Sequence, residues 1–146
     1  NNIQLDIIGD GVDKESYIDL CSNLHLLDSI TFHGTKSNSE VFEYLSKSHV
    51  LVLNSNYETF SIICAEALLS GIPVIATRCG GPETFLNEQT GKLIDIGNTD
   101  QLIDAMKEIQ ITYDRFKPED LKEKAAIFSS VEIGKELARC YKSVLS

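Results

Sequence analysis

Short apolar segments alternate along this chain with segments of helical periodicity, and this alternation limits the fold more than any other feature. Two of the apolar segments, Val50 to Leu53 and Pro73 to Ala76, are almost uninterrupted, which is typical of strands buried on both faces of a parallel sheet. Strands that alternate with helices form parallel units joined by crossover helices. The sequence therefore predicts an α/β fold with a doubly wound, Rossmann-like, mostly parallel sheet.

The predicted elements follow from apolar periodicity and from capping and turn residues. Strands are predicted at Ile3 to Ile8, Ser29 to Phe32, Val50 to Leu53, Pro73 to Ala76 and Gly91 to Ile94. Helices are predicted at Glu15 to Leu24, Ser37 to Lys47, Ser61 to Ser70, Asp100 to Ile111, Pro118 to Phe128 and Val131 to Leu145, with one helical turn at Glu83 to Leu86. Ser37 and Glu40 have the spacing of a capping box. Residues 1–146 are predicted to form one domain.

Composition excludes several classes of function. The formal net charge of −9 disfavours nucleic acid as a partner, because an acidic surface repels a phosphate backbone. No apolar run approaches the roughly 20 residues of a membrane-spanning helix. The four cysteines form no C-x-x-C pair and are expected to be reduced thiols of a cytoplasmic protein. Because the chain begins at Asn1 and enters an apolar segment at once, we expect it to be a piece of a longer protein.

Ligands of open α/β sheets bind beyond the carboxyl ends of the strands, so the turns that follow the predicted strands are the candidate sites. Gly9-Asp10-Gly11 begins like a dinucleotide fingerprint, but Lys14 stands where the third glycine is required. The turn is therefore either a flexible connection or a place near a ligand. Gly80 and Gly81 follow the fourth strand, where they either form a tight turn or let the backbone approach a ligand.

The loop after the third strand and the helix that follows it carry the strongest signal. Glu58 lies in the loop, and Glu66 lies on an otherwise apolar helix, so its carboxylate is expected to be partly buried. A carboxylate can accept hydrogen bonds from the two adjacent hydroxyls of a ribose. The N–H groups of Phe60, Ser61 and Ile62 open the helix without intrahelical partners and favour an anion. The alternative is that Glu58 only favours the helix terminus and Glu66 bonds a protein donor.

These motifs together resemble the group 1 (family-4) retaining glycosyltransferases of GT-B fold, and specifically their C-terminal, donor-binding half. The matching residues are Glu58 with Glu66, Ala67 to Ala76, Gly80-Gly81 with Glu83, Thr90 to Leu93, Ile8 to Gly11, and Ile30 to Gly34. Their order and spacing match over nearly the whole chain. The family often has glycine where Ser61 stands here.

The resemblance implies a function and a set of roles. Residues 1–146 would be a nucleotide-sugar donor-binding domain, transferring a hexosyl group with retention from a UDP- or GDP-linked sugar to a glycan or lipid-linked acceptor, as in polysaccharide biosynthesis. Glu58 would act on the transferred sugar as the catalytic contact and Glu66 would bind the ribose. Phe60, Ser61 and Ile62 would hold the distal phosphate, Gly34 and Thr35 would lie beside the base, and Gly9, Gly80 and Gly81 would line the donor site.

The resemblance also implies what the chain lacks. The family's basic pair for the diphosphate and its acceptor domain would lie upstream of Asn1, so the chain alone is expected to be inactive. No cofactor and no metal are expected, and any peripheral membrane association would come through the acceptor domain.

Two other classes of protein remain as alternatives. A nucleotide-sugar epimerase would share the fold, and a non-catalytic α/β binding module would need no buried carboxylate. A phospho-acceptor receiver domain is disfavoured because the third strand ends in Asn54-Ser55 where an aspartate is required.

Overall fold

The computed structural model describes residues 3–128 and residue 139. The chain divides into two compact units, Asn1–Glu43 and Tyr44–Ser146. The strands are β1 (Leu5–Ile8), β2 (Ile30–Gly34), β3 (Leu51–Leu53), β4 (Val74–Thr77) and β5 (Gly91–Ile94). The α-helices are α1 (Lys14–Asn23), α2 (Asn38–Lys47), α3 (Ile62–Leu69), α4 (Thr99–Thr112) and α5 (Pro118–Ala126), and short 3-10 helices cover Gly81–Thr84 and Tyr113–Arg115.

In the first unit, β1 and β2 pair in parallel. Asp6 lies opposite Thr31 and Ile7 lies opposite Phe32, so polar and apolar side chains separate onto the two faces of this pair. The N–H of Gly9 donates to the carbonyl of Gly34 at 2.9 Å, which joins the loops that follow the two strands. Cys21, on α1, is buried.

In the second unit, three parallel strands pair in the order β3-β4-β5. The central strand β4 is buried at every position, because neighbours cover both of its edges and helices pack on the sheet. Helix α3 packs against α5, and Leu68 and Leu121 are each exposed by no more than 1%. Among the described residues, every buried hydrophobic side chain except Cys21 belongs to the second unit, which therefore holds most of the described core. Burial of each large apolar side chain contributes about 1.5–3 kcal/mol.

The structure confirms the predicted alternation of parallel strands and helices, with several boundaries moved. The first strand begins at Leu5 rather than Ile3, and the helical turn predicted at Glu83 to Leu86 is a 3-10 helix that begins earlier, at Gly81, where Pro82 fits the first turn. The Ser37–Glu40 capping box is present, with the Ser37 N–H donating to Glu40 Oε2 at 2.9 Å. The helix predicted at Val131 to Leu145 lies outside the described residues except at Arg139, which is helical.

Candidate functional site

The loops that follow β3 and β4 are joined by a short parallel bridge between Glu58 and Gly80. The N–H of Glu58 donates to the carbonyl of Cys79 at 2.9 Å, and the N–H of Gly81 donates to the carbonyl of Glu58 at 2.8 Å. Both loops lie at the carboxyl ends of their strands, where open α/β sheets bind ligands. The backbone of Glu58 is therefore fixed on both sides at the predicted edge of the sheet.

Two adjacent glycines make this close approach of the loops possible. A Cβ atom on Gly80 would lie 2.6 Å from the carbonyl oxygen of Glu58, and one on Gly81 would lie 2.5 Å from the carbonyl carbon of Phe60. Gly80 also has a φ of +110°, a conformation that other residues rarely adopt. The lack of a side chain at Gly80 and Gly81 thus leaves room for the backbones of Glu58 and Phe60. Contact of the two glycines with a ligand remains a prediction.

The carboxylate of Glu58 is half-buried and is held by a neighbour from its own loop. Ser55 Oγ donates a hydrogen bond to Glu58 Oε1 at 2.9 Å. The buried hydroxyl of Thr77, at the end of β4, donates in turn to the carbonyl of Ser55. A chain of hydrogen bonds therefore runs from the core strand to the carboxylate.

Helix α3 begins with backbone donors that have no acceptor among the described residues. Within the described part of the chain, the N–H groups of Phe60, Ser61 and Ile62 donate to no other residue. Ser61, the N-cap, has φ +65° and ψ +66° and makes no side-chain cap; its buried hydroxyl instead lies 3.3 Å from Cys64 Sγ. The left-handed conformation explains physically why glycine suits this position. The ring of Phe60 packs edge-on against Phe85, with centroids 4.9 Å apart.

Glu66 is half-buried one turn into α3, as predicted. Four residues of this helix are buried: Cys64, Ala65, Ala67 and Leu68. No hydrogen bond or ion pair to the Glu66 carboxylate occurs among the residues that the structure describes. In a helix the Cα–Cβ bonds tilt toward the N-terminus, which is the end of α3 where Phe60, Ser61 and Ile62 lie.

The remaining predicted site residues belong to the first unit. Gly9 and Gly34 are joined by their backbone hydrogen bond, both with positive φ, and Thr35 follows them as an exposed residue. Nearby, Lys14 Nζ pairs with Asp10 Oδ2 at 3.3 Å, and the hydrogen bonds from Gly11 and from Lys14 hold the pKa of the Asp10 carboxyl below its ordinary value.

The sequence did not single out Ser55, Thr77 or Cys79 for any part in the site. Thr77 is the one polar residue of β4, and this is the only sequence signal that sets it apart. Cys79 is buried, and its backbone carbonyl accepts a hydrogen bond from the Glu58 N–H. These roles depend on which loops meet, which residue spacing does not reveal.

A separate cavity of about 770 Å³ lies on the second unit and includes none of the predicted site residues. Its lining carries both signs of charge, including Lys92 and Glu108, whose charged atoms lie 2.6 Å apart. Over the part of the chain that is described, no cluster of three potential metal ligands forms and no helix has the length and apolarity to cross a membrane.

The chain has similarity to known proteins along most of its length. The model of the family described as glycosyl transferases group 1 matches residues 1–127. The N-acetyl-alpha-D-glucosaminyl L-malate synthase of Bacillus anthracis is 36% identical over 110 residues, which are 72% of this chain and 28% of that protein. The lipopolysaccharide outer core galactosyltransferase WaaB, in its apo form, superposes with a TM-score of 0.85 and 25% identity over 96% of this chain and 40% of that one. The pneumococcal O-GlcNAc transferase GtfA, in complex with UDP and GlcNAc, superposes with a TM-score of 0.76 and 25% identity over 97% of this chain and 29% of that one.

The α/β architecture with parallel strands matches GT-B glycosyltransferase structures, which confirms the predicted fold class. The chain spans between 28% and 40% of the length of the proteins compared above. Since the family model covers residues 1–127, well over half of the sequence, the chain belongs to the group 1 glycosyltransferases.

Proposed function

We propose that this chain binds a nucleotide-diphosphate sugar, as the donor for retaining transfer of a hexosyl group to a glycan or lipid-linked acceptor. The observation that carries the proposal is the half-buried Glu66 on α3, whose carboxylate has no partner among the described residues, on the same helix whose first N–H groups have no acceptor among those residues. Solvent reaches this half-buried carboxylate, so a ligand that displaces the water must supply hydrogen-bond donors in its place.

The nucleoside part of the donor fits the carboxylate of Glu66. A ribose presents adjacent 2′- and 3′-hydroxyls, and both can donate to the two oxygens of one carboxylate. The family resemblance assigns the base to Gly34 and Thr35. Hydrogen bonds to a charged group contribute about 1.5–3 kcal/mol each, so Glu66 is expected to provide much of the nucleoside affinity.

The diphosphate fits the start of α3. The free N–H groups of Phe60, Ser61 and Ile62 and the positive end of the helix dipole favour an anion at this position. As the glycosidic bond breaks, negative charge grows on the distal phosphate, and fixed N–H dipoles stabilise that charge in the transition state. Stabilisation of the diphosphate by N–H dipoles requires no cofactor. The pneumococcal GtfA structure, which contains UDP and GlcNAc, supports a ligand of this class.

The transferred sugar is assigned to Glu58. Its carboxylate lies at the end of β3 in the loop that leads into the start of α3, and its oxygen Oε2 has no hydrogen-bond partner among the described residues. A carboxylate so placed can accept from sugar hydroxyls and orient the anomeric carbon. The acceptor would be bound by another domain of the same protein.

The direct test is a titration of the isotope-labelled chain with UDP, GDP and ADP and with their sugar derivatives, followed by backbone amide shifts. We expect one nucleotide to shift the amides of Gly34, of residues 60–66 and of Gly80, and the identity of that nucleotide gives the base. Absence of shifts with all of the ligands would contradict the proposed function.

A second assay separates transfer from epimerisation. The full-length protein is incubated with the donor that binds, and the products are analysed with and without candidate acceptors. A glycosylated acceptor supports transfer, and an anomerically retained linkage supports the proposed stereochemistry. Epimerised free donor in the absence of an acceptor would contradict transfer and favour the epimerase.

A further inference from the structure

We propose that Ser55 is a positioning residue, which orients the carboxylate of Glu58 toward the sugar of the donor. The inference rests on the proposed function, because it concerns the same site. Its starting observation is the 2.9 Å hydrogen bond from Ser55 Oγ to Glu58 Oε1, which nothing in the sequence signalled.

The two carboxylate oxygens of Glu58 differ in their hydrogen bonds. Oε1 accepts from Ser55, whereas Oε2 has no partner within the described part of the chain. A glutamate side chain loses up to about 2 kcal/mol of rotamer entropy when it is fixed, so an unrestrained Glu58 would bear that cost on each binding event. Ser55 fixes the side chain in advance and leaves one oxygen for a sugar hydroxyl.

The backbone of Ser55 is itself anchored to the core. Thr77 is fully buried, and its hydroxyl donates to the carbonyl oxygen of Ser55. This bond attaches the backbone of Ser55 to the end of β4, the most buried strand of the sheet. A catalytic contact supported by residues on a rigid element keeps its geometry better than one on a free loop.

The Ser55 side chain is not needed to hold the loop after β3 against the loop after β4. The two loops are already joined through the backbone, by the Glu58 N–H on Cys79 and by the Gly81 N–H on Glu58. Removal of the Ser55 hydroxyl therefore leaves the loop in place and frees only the carboxylate. This separation lets a positioning role be distinguished from a structural one.

The test compares the affinity of the chain for a nucleotide sugar with its affinity for the corresponding nucleoside diphosphate. The dissociation constant of the nucleoside diphosphate, divided by that of the nucleotide sugar, isolates the contribution of the sugar. We expect Ser55→Ala to reduce this ratio roughly tenfold, within the range for a hydrogen bond to a charged group, and to leave diphosphate affinity unchanged. Ser55→Thr, which keeps the hydroxyl, should retain the wild-type ratio.

Ser48→Ala is the matched control, because Ser48 is also half-buried in the second unit and its hydroxyl donates to the carbonyl of Tyr44 at 2.7 Å. It should change neither affinity. An unchanged ratio in Ser55→Ala overturns the proposal, and so does an equal loss of affinity for both ligands, which indicates a structural role. A wild-type chain that binds the diphosphate without any gain from the sugar also overturns it. A wild-type chain that binds neither ligand instead refutes the proposed function.

Discussion

At the scale of single residues, Glu66 is the strongest test of the site. We expect Glu66→Ala to weaken nucleotide binding at least tenfold, because the ribose hydroxyls lose their acceptor. The free energy of unfolding should change by less than about 1 kcal/mol, since the carboxylate has no described partner and alanine favours a helix. Calorimetric titration and urea denaturation measure the two quantities.

Glu123→Ala is the control for this substitution, because Glu123 is an exposed glutamate in the middle of α5. It should leave both the affinity and the stability within error of wild type. If Glu66→Ala unfolds the chain while wild type binds no nucleotide, Glu66 is a structural residue and its assignment to the ribose is wrong.

A second residue-scale prediction concerns the buried thiol of Cys64. Burial is the main cause that raises its pKa from 9.0 to about 11, and the side chain is completely inaccessible. Below pH 9 the thiol is protonated in both the folded and the unfolded chain, so stability does not depend on it. Between pH 9 and 11 only the unfolded chain releases the proton, so stability should fall by about 1.4 kcal/mol per pH unit.

The measurement is the difference in the free energy of unfolding between wild type and Cys64→Ala, taken from pH 8 to pH 11. Every titratable group other than Cys64 is present in both proteins, so its contribution cancels in the difference. The advantage of wild type over the variant should shrink as the pH rises. A difference that stays constant over this range would show that the thiol ionises equally in both states.

At the scale of secondary-structure elements, the pairing of β4 with β5 depends on Gly91. A Cβ atom at this position would lie 1.8 Å from the carbonyl oxygen of Val74, which is its partner across the two strands. Gly91→Ala must therefore push the strands apart, and we expect a loss of roughly 3 kcal/mol of unfolding free energy. Gly11→Ala, with no atom within 4 Å of the added methyl, should change stability by less than about 0.5 kcal/mol. Urea denaturation of the two variants measures this difference in stability. Equal midpoints would contradict the predicted clash at Gly91.

The elements themselves could be predicted from the sequence because their signals are local. The apolar runs of β3 and β4 and the Ser37–Glu40 capping box needed no knowledge of their surroundings. The left-handed backbone of Ser61 and the contact of Gly81 with Phe60 could not be predicted in this way. Both depend on loops from different strands meeting, and serine adopts that conformation only where tertiary contacts impose it.

The same distinction holds within the candidate site. Glu58 and Glu66 were recognisable because a carboxylate beside a buried strand, or on an apolar helix, requires an explanation. Ser55 lies in a polar loop, where a serine carries no signal, and its role emerges only from the hydrogen bonds that connect Thr77, Ser55 and Glu58. Carboxylates that could bind a ligand are thus recognisable in the sequence, whereas a serine that holds one of them is not.

At the scale of the whole molecule, the chain is much shorter than the enzymes it resembles, spanning 28% of the Bacillus anthracis synthase and 40% of the WaaB galactosyltransferase. We therefore expect the chain alone to bind donor without transferring sugar, because the acceptor contacts are assigned to another domain. Turnover is measured with the nucleotide sugar that binds most tightly, a panel of glycan and lipid-linked acceptors, and detection of the released diphosphate. The full-length protein is the positive control. Transfer by the 146-residue chain well above the uncatalysed background would show that the donor site and the acceptor site both lie within it.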